Sequence, residues 1–292
     1  MRSVSPSTRK IWRVIDLVHW AENYFSSRGF EKPRKEIEWL LRELLECSRI
    51  DLYMRFEEPI EKQKLIILRG WVQRRVKREP LQYITGTAEF YGLPLMVNSS
   101  VLIPRPETEK LVDVALDVLT STEDLEILDI GTGSGCVALA IAKEKPTSTV
   151  TGIDISKDAV CLAKKNADKL EISNVQFIHI DILKDVQMEK VDMIVSNPPY
   201  IPVDEIKNVM EDVRNFEPEI ALTDYADGLT FYHRLAKIGS RLCKSGGCVL
   251  MEVGLKDHPK SVMKIFKEKG YTDTTLIKDY NGDPRVLKVR VP

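Results

Sequence analysis

Val191-Asp-Met-Ile-Val-Ser-Asn-Pro-Pro-Tyr200 is the stretch on which the fold turns. Its first five residues, apolar but for one acid, read as a buried strand. Pro198 and Pro199 fix φ twice and donate no backbone N–H, so neither helix nor sheet runs on through them. The result is a stiff corner at the carboxyl end of a strand, where open α/β sheets put their chemistry. Asn197 precedes a proline and is pushed towards an extended conformation, which limits how its side chain points. The corner therefore presents the Asn197 amide oxygen, the Pro198 carbonyl and the Tyr200 ring. Two acceptors and a flat face suit a planar –NH₂, either the exocyclic amine of a base or the side-chain amide of Asn or Gln. Asn197, Pro198 and Tyr200 are the catalytic candidates, and Asn197, Pro198, Pro199 and Tyr200 the acceptor-binding ones.

Upstream, Ile127-Leu-Asp-Ile-Gly-Thr-Gly-Ser-Gly135 joins a strand to a helix. Its spacing is G-x-G-x-G, not the G-x-G-x-x-G that cradles a dinucleotide pyrophosphate. Asp154 ends the next strand about 20 residues on, where an acid can accept both ribose hydroxyls of a nucleoside. Asp181 follows the third strand, where it could accept from an adenine amine, and Ile182 would pack on the adenine face. The cofactor-binding candidates are thus Gly131, Thr132, Gly133, Ser134, Gly135, Asp154, Asp181 and Ile182, together with Asn197. Asp129 is expected to order the loop or to hold an amine.

Working outward, strands are predicted near 126–130, 149–154, 175–180, 191–196 and 247–253, with helices between. That alternation implies a parallel sheet covered on both faces. The tail differs: Thr272–Lys278 and Val286–Val291 flank the turn-rich Tyr280-Asn-Gly-Asp-Pro284, which predicts an antiparallel hairpin at one sheet edge. A Rossmann-like, doubly wound α/β sheet ending in such a pair resembles class I S-adenosylmethionine-dependent methyltransferases rather than dehydrogenases. Before it, residues 9–28, a stretch beginning at Pro33, and Pro59–Lys77 carry helical spacing. They predict a small helical bundle with Trp12, Trp20 and Trp39 in its core. Residues 81–105 hold two short extended runs about Gly92, read as a β-hairpin bridging the domains. The expected division is 1–80, 81–105 and 106–292.

Composition narrows the classes. The 292 residues are 43% hydrophobic and 30% charged, which describes a soluble globular protein. No apolar run approaches the roughly 18 residues of a membrane span, and the N-terminus lacks a signal-peptide core. Five cysteines form no C-x-x-C pair and the four histidines do not cluster, against a zinc site or disulfide framework and for a reducing cytoplasm. Residues 1–80 hold 18 Lys+Arg against 12 Asp+Glu, while the remainder holds 25 against 32. A basic front on an acidic body points to a macromolecular partner.

Together these residues resemble the HemK/PrmC family, protein-(glutamine-N5) methyltransferases of peptide chain release factors. The marks are Pro80-Leu-Gln-Tyr-Ile-Thr-Gly86, Phe90-Tyr-Gly92, Leu102-Ile-Pro-Arg-Pro-Glu-Thr-Glu109, Asp129–Gly135, Ser196–Tyr200, Glu217-Pro218, Asp227-Gly-Leu229 and Asp283-Pro-Arg-Val286. The resemblance implies S-adenosylmethionine as methyl donor and, as acceptor, the glutamine of the Gly-Gly-Gln motif in class-1 release factors. It also implies that the helical front recognises the protein substrate, with no membrane, metal or direct nucleic-acid partner. Relatives often carry an aromatic residue where Ile182 stands. A sister family that methylates a ribosomal-protein glutamine has similar motifs. The residues also fit an enzyme acting on a base amine, or an inactive scaffold that only binds partners.

Overall fold

The computed structural model describes residues 11–119, 124–184 and 186–292. The described residues up to Thr85 form one compact unit and Gly86–Pro292 a second. The first is helical: α1 (Val14–Ser26), α2 (Pro33–Leu45), α3 (Arg49–Met54), α4 (Lys62–Val76) and α5 (Leu81–Thr85). Pro33 opens α2 at a position where its missing N–H costs nothing. Ser48 and Asp51 cap α3 reciprocally, each accepting the other's backbone N–H at 3.1 Å. The core pairs Leu17, Val18 and Phe25 of α1 with Ile37, Leu40 and Leu41 of α2, both at helical spacing.

The tryptophans are not the centre of that core. Trp20 is 39% exposed and stacks on Tyr24 at 5.2 Å, while Trp12 and Trp39 are half-buried. Trp20 and Tyr24, four apart, form a stripe of their own on α1, and the inward stripe is Leu17, Ala21 and Phe25.

The second unit opens with a hairpin, β1 (Thr87–Phe90) and β2 (Leu93–Met96), followed by α6 (Glu109–Val118). There follow β3 (Glu126–Ile130), α7 (Cys136–Glu144), β4 (Thr149–Asp154), α8 (Lys157–Leu170), β5 (Val175–His179) and β6 (Val191–Ser196). The remaining elements are α9 (Glu211–Phe216), α10 (Thr230–Leu242), β7 (Cys243–Glu252), α11 (His258–Glu268), β8 (Thr274–Lys278) and β9 (Pro284–Arg290). Asn166 on α8 accepts the Met96 N–H at 2.7 Å and donates to its carbonyl at 3.0 Å, which docks the hairpin on this unit.

The sheet order is β5-β4-β3-β6-β7-β9-β8. Five strands are parallel, and β9 inserts antiparallel between β7 and β8. Successive strand residues face opposite layers, so both layers can be apolar. Ile127 packs with α6, α7 and α8, whereas Leu128 packs with α10 and α11. The chain winds one way from β3 to β5, then returns to lay β6 on the other side of β3. That reversal leaves a crevice beyond the carboxyl ends of β3 and β6, the general ligand position of such sheets.

Candidate active site

The crevice is a cavity of about 240 Å³. The loop after β3 forms its floor. The N–H groups of Gly131 and Thr132 donate to the Ile153 carbonyl at 2.9 and 3.0 Å, and Thr132 Oγ1 donates to Asp129 Oδ2 at 2.7 Å. Gly133 N–H reaches Asp154 Oδ2 at 2.9 Å, and Ser156 N–H reaches Asp154 Oδ1 at 2.8 Å. Asp154 thus ties the loop to the end of β4, with the Ile155 N–H also favouring its charged form, and it still lines the cavity. Gly131, Thr132, Gly133, Ser134, Asp154, Asp181 and Ile182 all line the cavity. Gly135 does not. At φ +82°, a Cβ there would sit 2.9 Å from Phe177 Cζ, so this glycine lets α7 close against the sheet.

Asp129 is 2% exposed and lines the same cavity. Burial pushes its carboxyl up to about 7, the Asp154 charge adds to the rise, and the Thr132 hydrogen bond works against it. Burial likewise raises Asp154, opposed by its backbone N–H bonds. Two carboxyls held partly uncompensated beside an open volume suit a ligand that brings hydroxyls and a positive charge.

Asn197, Pro198 and Pro199 line the opposite wall. Ser196 Oγ donates to the Ile130 carbonyl at 2.7 Å and joins this corner to the cofactor loop. Asn197 Nδ2 donates to Thr108 Oγ1 at 3.1 Å, and Thr108 in turn donates to Glu252 Oε2 at 2.6 Å. Tyr200 is not part of the cavity wall. Its hydroxyl donates to Glu252 Oε1 at 3.2 Å and its ring lies 5.8 Å from that of His258. Burial drives the phenol well above its usual value, so it remains a donor. Glu252, 2% exposed at the end of β7, is raised by burial against the Thr108 bond, the Arg285 charge and the Tyr200 bond.

Pro218, Ile220, Ala221, Thr223, Asp224 and Tyr225 also line the cavity. Glu217, buried, accepts the Ile103 N–H at 3.1 Å and Arg105 at 2.5 Å. Asp224 accepts the N–H groups of Ala226, Gly228 and Thr230, each at 2.9 Å. Gly228, at φ +81°, passes so close to Tyr200 that a Cβ would stand 2.3 Å from its carbonyl oxygen. His258 Nδ1 accepts the Gly254 N–H at 3.0 Å, which leaves Nε2–H to donate to the Gly228 carbonyl at 3.3 Å. Burial lowers the His258 pKa and favours this neutral form.

Thr108, Glu252, Glu217 and Arg105 join the site without being sequence candidates for it. Thr108, Arg105 and Glu217 lie within the family marks of the sequence, and Glu252 is an acid ending an otherwise apolar strand. Either pattern is a signal that could have found them. Among the described residues, no three His, Cys, Asp or Glu groups are arranged to hold a metal, and no helix is long and apolar enough to cross a membrane.

The parallel sheet with its antiparallel pair and this loop arrangement define a class I S-adenosylmethionine-dependent methyltransferase. Solved structures share that fold. A methyltransferase from Pyrococcus furiosus matches with a TM-score of 0.51 at 19% identity, over 68% of this chain and 89% of its own. The hMettl16 catalytic domain matches with a TM-score of 0.57 at 17% identity, over 80% and 85%. Residues 16–86 match the PrmC N-terminal domain and residues 108–213 the methyltransferase small domain. The release factor glutamine methyltransferase of Geobacter sulfurreducens is 38% identical over 97% of this chain and 98% of its own. That of Bacillus subtilis is 38% identical over 94% and 96%. The chain belongs to the release factor glutamine methyltransferase family. Its methyl donor is S-adenosylmethionine.

Proposed function

We propose that the protein transfers the methyl group of S-adenosylmethionine to the side-chain nitrogen of the glutamine in the Gly-Gly-Gln motif of class-1 release factors. The observation that carries this reading is the Asn197 amide, whose nitrogen is tied to Thr108 beside the cofactor loop. Its oxygen is left for the acceptor. A carboxamide nitrogen is a weak nucleophile because its lone pair is delocalised, so position must supply most of the rate. Asn197 Oδ1 and the Pro198 carbonyl each accept one N–H of the glutamine. This fixes the nitrogen in line with the methyl group and stabilises the positive charge that grows there. As the N–C bond forms the sulfonium C–S bond breaks, S-adenosylhomocysteine leaves as a neutral thioether, and the alkylated nitrogen gives up one N–H proton to solvent.

On the donor side, the Asp154 carboxylate takes the ribose hydroxyls and Asp129 faces the methionine ammonium. Asp181 and Ile182 border the adenine. The bound donor supplies an electrophilic methyl on a sulfonium, and no nucleophilic side chain is required. Pro199 stiffens the corner, and Tyr200 acts from behind through Glu252. Gly135 closes α7 on the sheet. Substrate recognition by the helical unit up to Thr85 and catalysis by Gly86–Pro292 belong to this reading, as does action in the cytoplasm, where release factors work. These two units replace the expected division into 1–80, 81–105 and 106–292, because Leu81–Thr85 is a helix of the first unit and the hairpin belongs to the second.

The test is to incubate the protein with labelled donor and purified release factor and to map the methyl by mass spectrometry. The expected product carries one methyl on the Gly-Gly-Gln glutamine. Label on a ribosomal protein or on nucleic acid, with the release factor unlabelled, overturns the reading.

A further inference from the structure

Arg105 and Ile103 give the Leu102–Glu109 segment one task, the anchoring of Glu217. Thr108 is left over. It ends the short 3-10 turn Pro106–Thr108 that leads into α6, and its hydroxyl caps no helix N–H. Its hydroxyl is turned instead between Glu252 at 2.6 Å and Asn197 Nδ2 at 3.1 Å. The residue is 2% exposed, and Glu252 lies 144 residues away in the chain.

A hydroxyl has one proton to give. Glu252 takes it, while the Tyr200 hydroxyl occupies the other carboxylate oxygen. Burial raises the Glu252 carboxyl, while the two hydroxyl bonds and the charge of Arg285, itself paired with Asp279 at 3.1 Å, favour its ionised form. Thr108 Oγ1 can then only accept, and of the two ends of the Asn197 amide only Nδ2 can serve it. Turned by half a revolution, the same amide would aim N–H at the N–H of its substrate.

We propose that Thr108 is a positioning residue of the methyl transfer, acting through Asn197 by locking the amide with Oδ1 towards the acceptor nitrogen. The inference rests on the reading of Asn197 as the group that orients that nitrogen. Without the lock the amide samples both orientations, and only one of them is productive.

The experiment measures methyl transfer to purified release factor by Thr108→Val, Thr108→Ser, Asn197→Ala and the double variant Thr108→Val with Asn197→Ala. Donor affinity is measured by calorimetry on the same preparations. Thr108→Val should lose roughly tenfold in kcat, less than the roughly 10²–10³-fold expected on removing a preorganised partner outright. KM and donor affinity should hold within about twofold. Thr108→Ser keeps the hydroxyl and should regain most of the rate. The double variant should be no slower than Asn197→Ala alone, because nothing remains for Thr108 to position.

A slow Asn197→Ala beside a full-rate Thr108→Val sinks the inference and leaves the reading of Asn197 standing. A full-rate Asn197→Ala removes both. Losses that multiply in the double variant, or a serine variant as slow as valine, would make Thr108 a packing residue and overturn the inference.

Discussion

Asp154 divides its acceptor capacity between the protein and the cavity. Its oxygens accept the Gly133 and Ser156 N–H groups, and the Ile155 N–H also favours its charged form. The acid lines the cavity, where the proposed reading has it hold the ribose. Charge-assisted hydrogen bonds contribute roughly 1.5–3 kcal/mol, so Asp154→Ala should weaken donor binding about tenfold or more. Calorimetry showing unchanged affinity would mean that the acid does not touch the ribose. Asp129 makes a pH prediction. Burial raises its folded-state pKa to about 7 from a value near 3.8. The folded protein therefore holds this proton more tightly than the unfolded chain, and the stability so gained is lost as pH rises from about 4 through about 7. A cationic donor favours the ionised carboxylate. Donor affinity should accordingly climb between about pH 5.5 and about 7, and the climb should vanish in Asp129→Asn. A wild-type affinity flat across that range would separate Asp129 from the methionine ammonium.

At the scale of elements, the 217–230 segment beside the cavity stands on a few contacts that a single methyl group can disturb. Gly228→Ala would put a Cβ into the Tyr200 carbonyl at a φ of +81°. The backbone must shift, and strain of this kind costs about 1–3 kcal/mol. The expected result is a lower melting temperature and a raised KM for the release factor, with donor affinity little changed; an alanine variant indistinguishable from wild type would show that the approach is not needed. These contacts also mark where the sequence stops being readable. The parallel strands are legible because each is a short apolar run bounded by turn residues, and Glu126–Ile130 and Thr149–Asp154 fall where expected. Asp154 falls at the end of β4 and lines the cavity, where its sequence position puts it. The link of Thr108 to Glu252 is not legible, since it needs the strand order that brings β7 beside β6. Tyr200 reads from the sequence as facing the substrate, but alternation after two prolines has no fixed period to follow. Trp20 reads as core because large apolar residues favour burial, yet the helical phase of its neighbours puts it outside.

At the scale of the whole molecule, each unit closes its own core: one cluster runs from Val14 to Ile84, and both others lie beyond Gly86. A chain beginning at Gly86 should therefore fold and bind S-adenosylmethionine with full-length affinity. It should methylate an intact release factor at least about tenfold less efficiently, equal to about 1.4 kcal/mol of lost docking. Equal kcat/KM for both proteins would leave the helical unit without a part in recognition. The strands that carry the site have a very different neighbourhood from the loop that carries Asp224 and Gly228. The β3 strand lies between β4 and β6 with apolar layers on both faces, whereas the Gly228 N–H is held by one surface-loop carboxylate. In deuterated water the Leu128 amide should exchange only when the entire domain unfolds, and the Gly228 amide through brief local openings. The two amides would then time different events: one the lifetime of the fold, the other how often the Asp224 loop lets go.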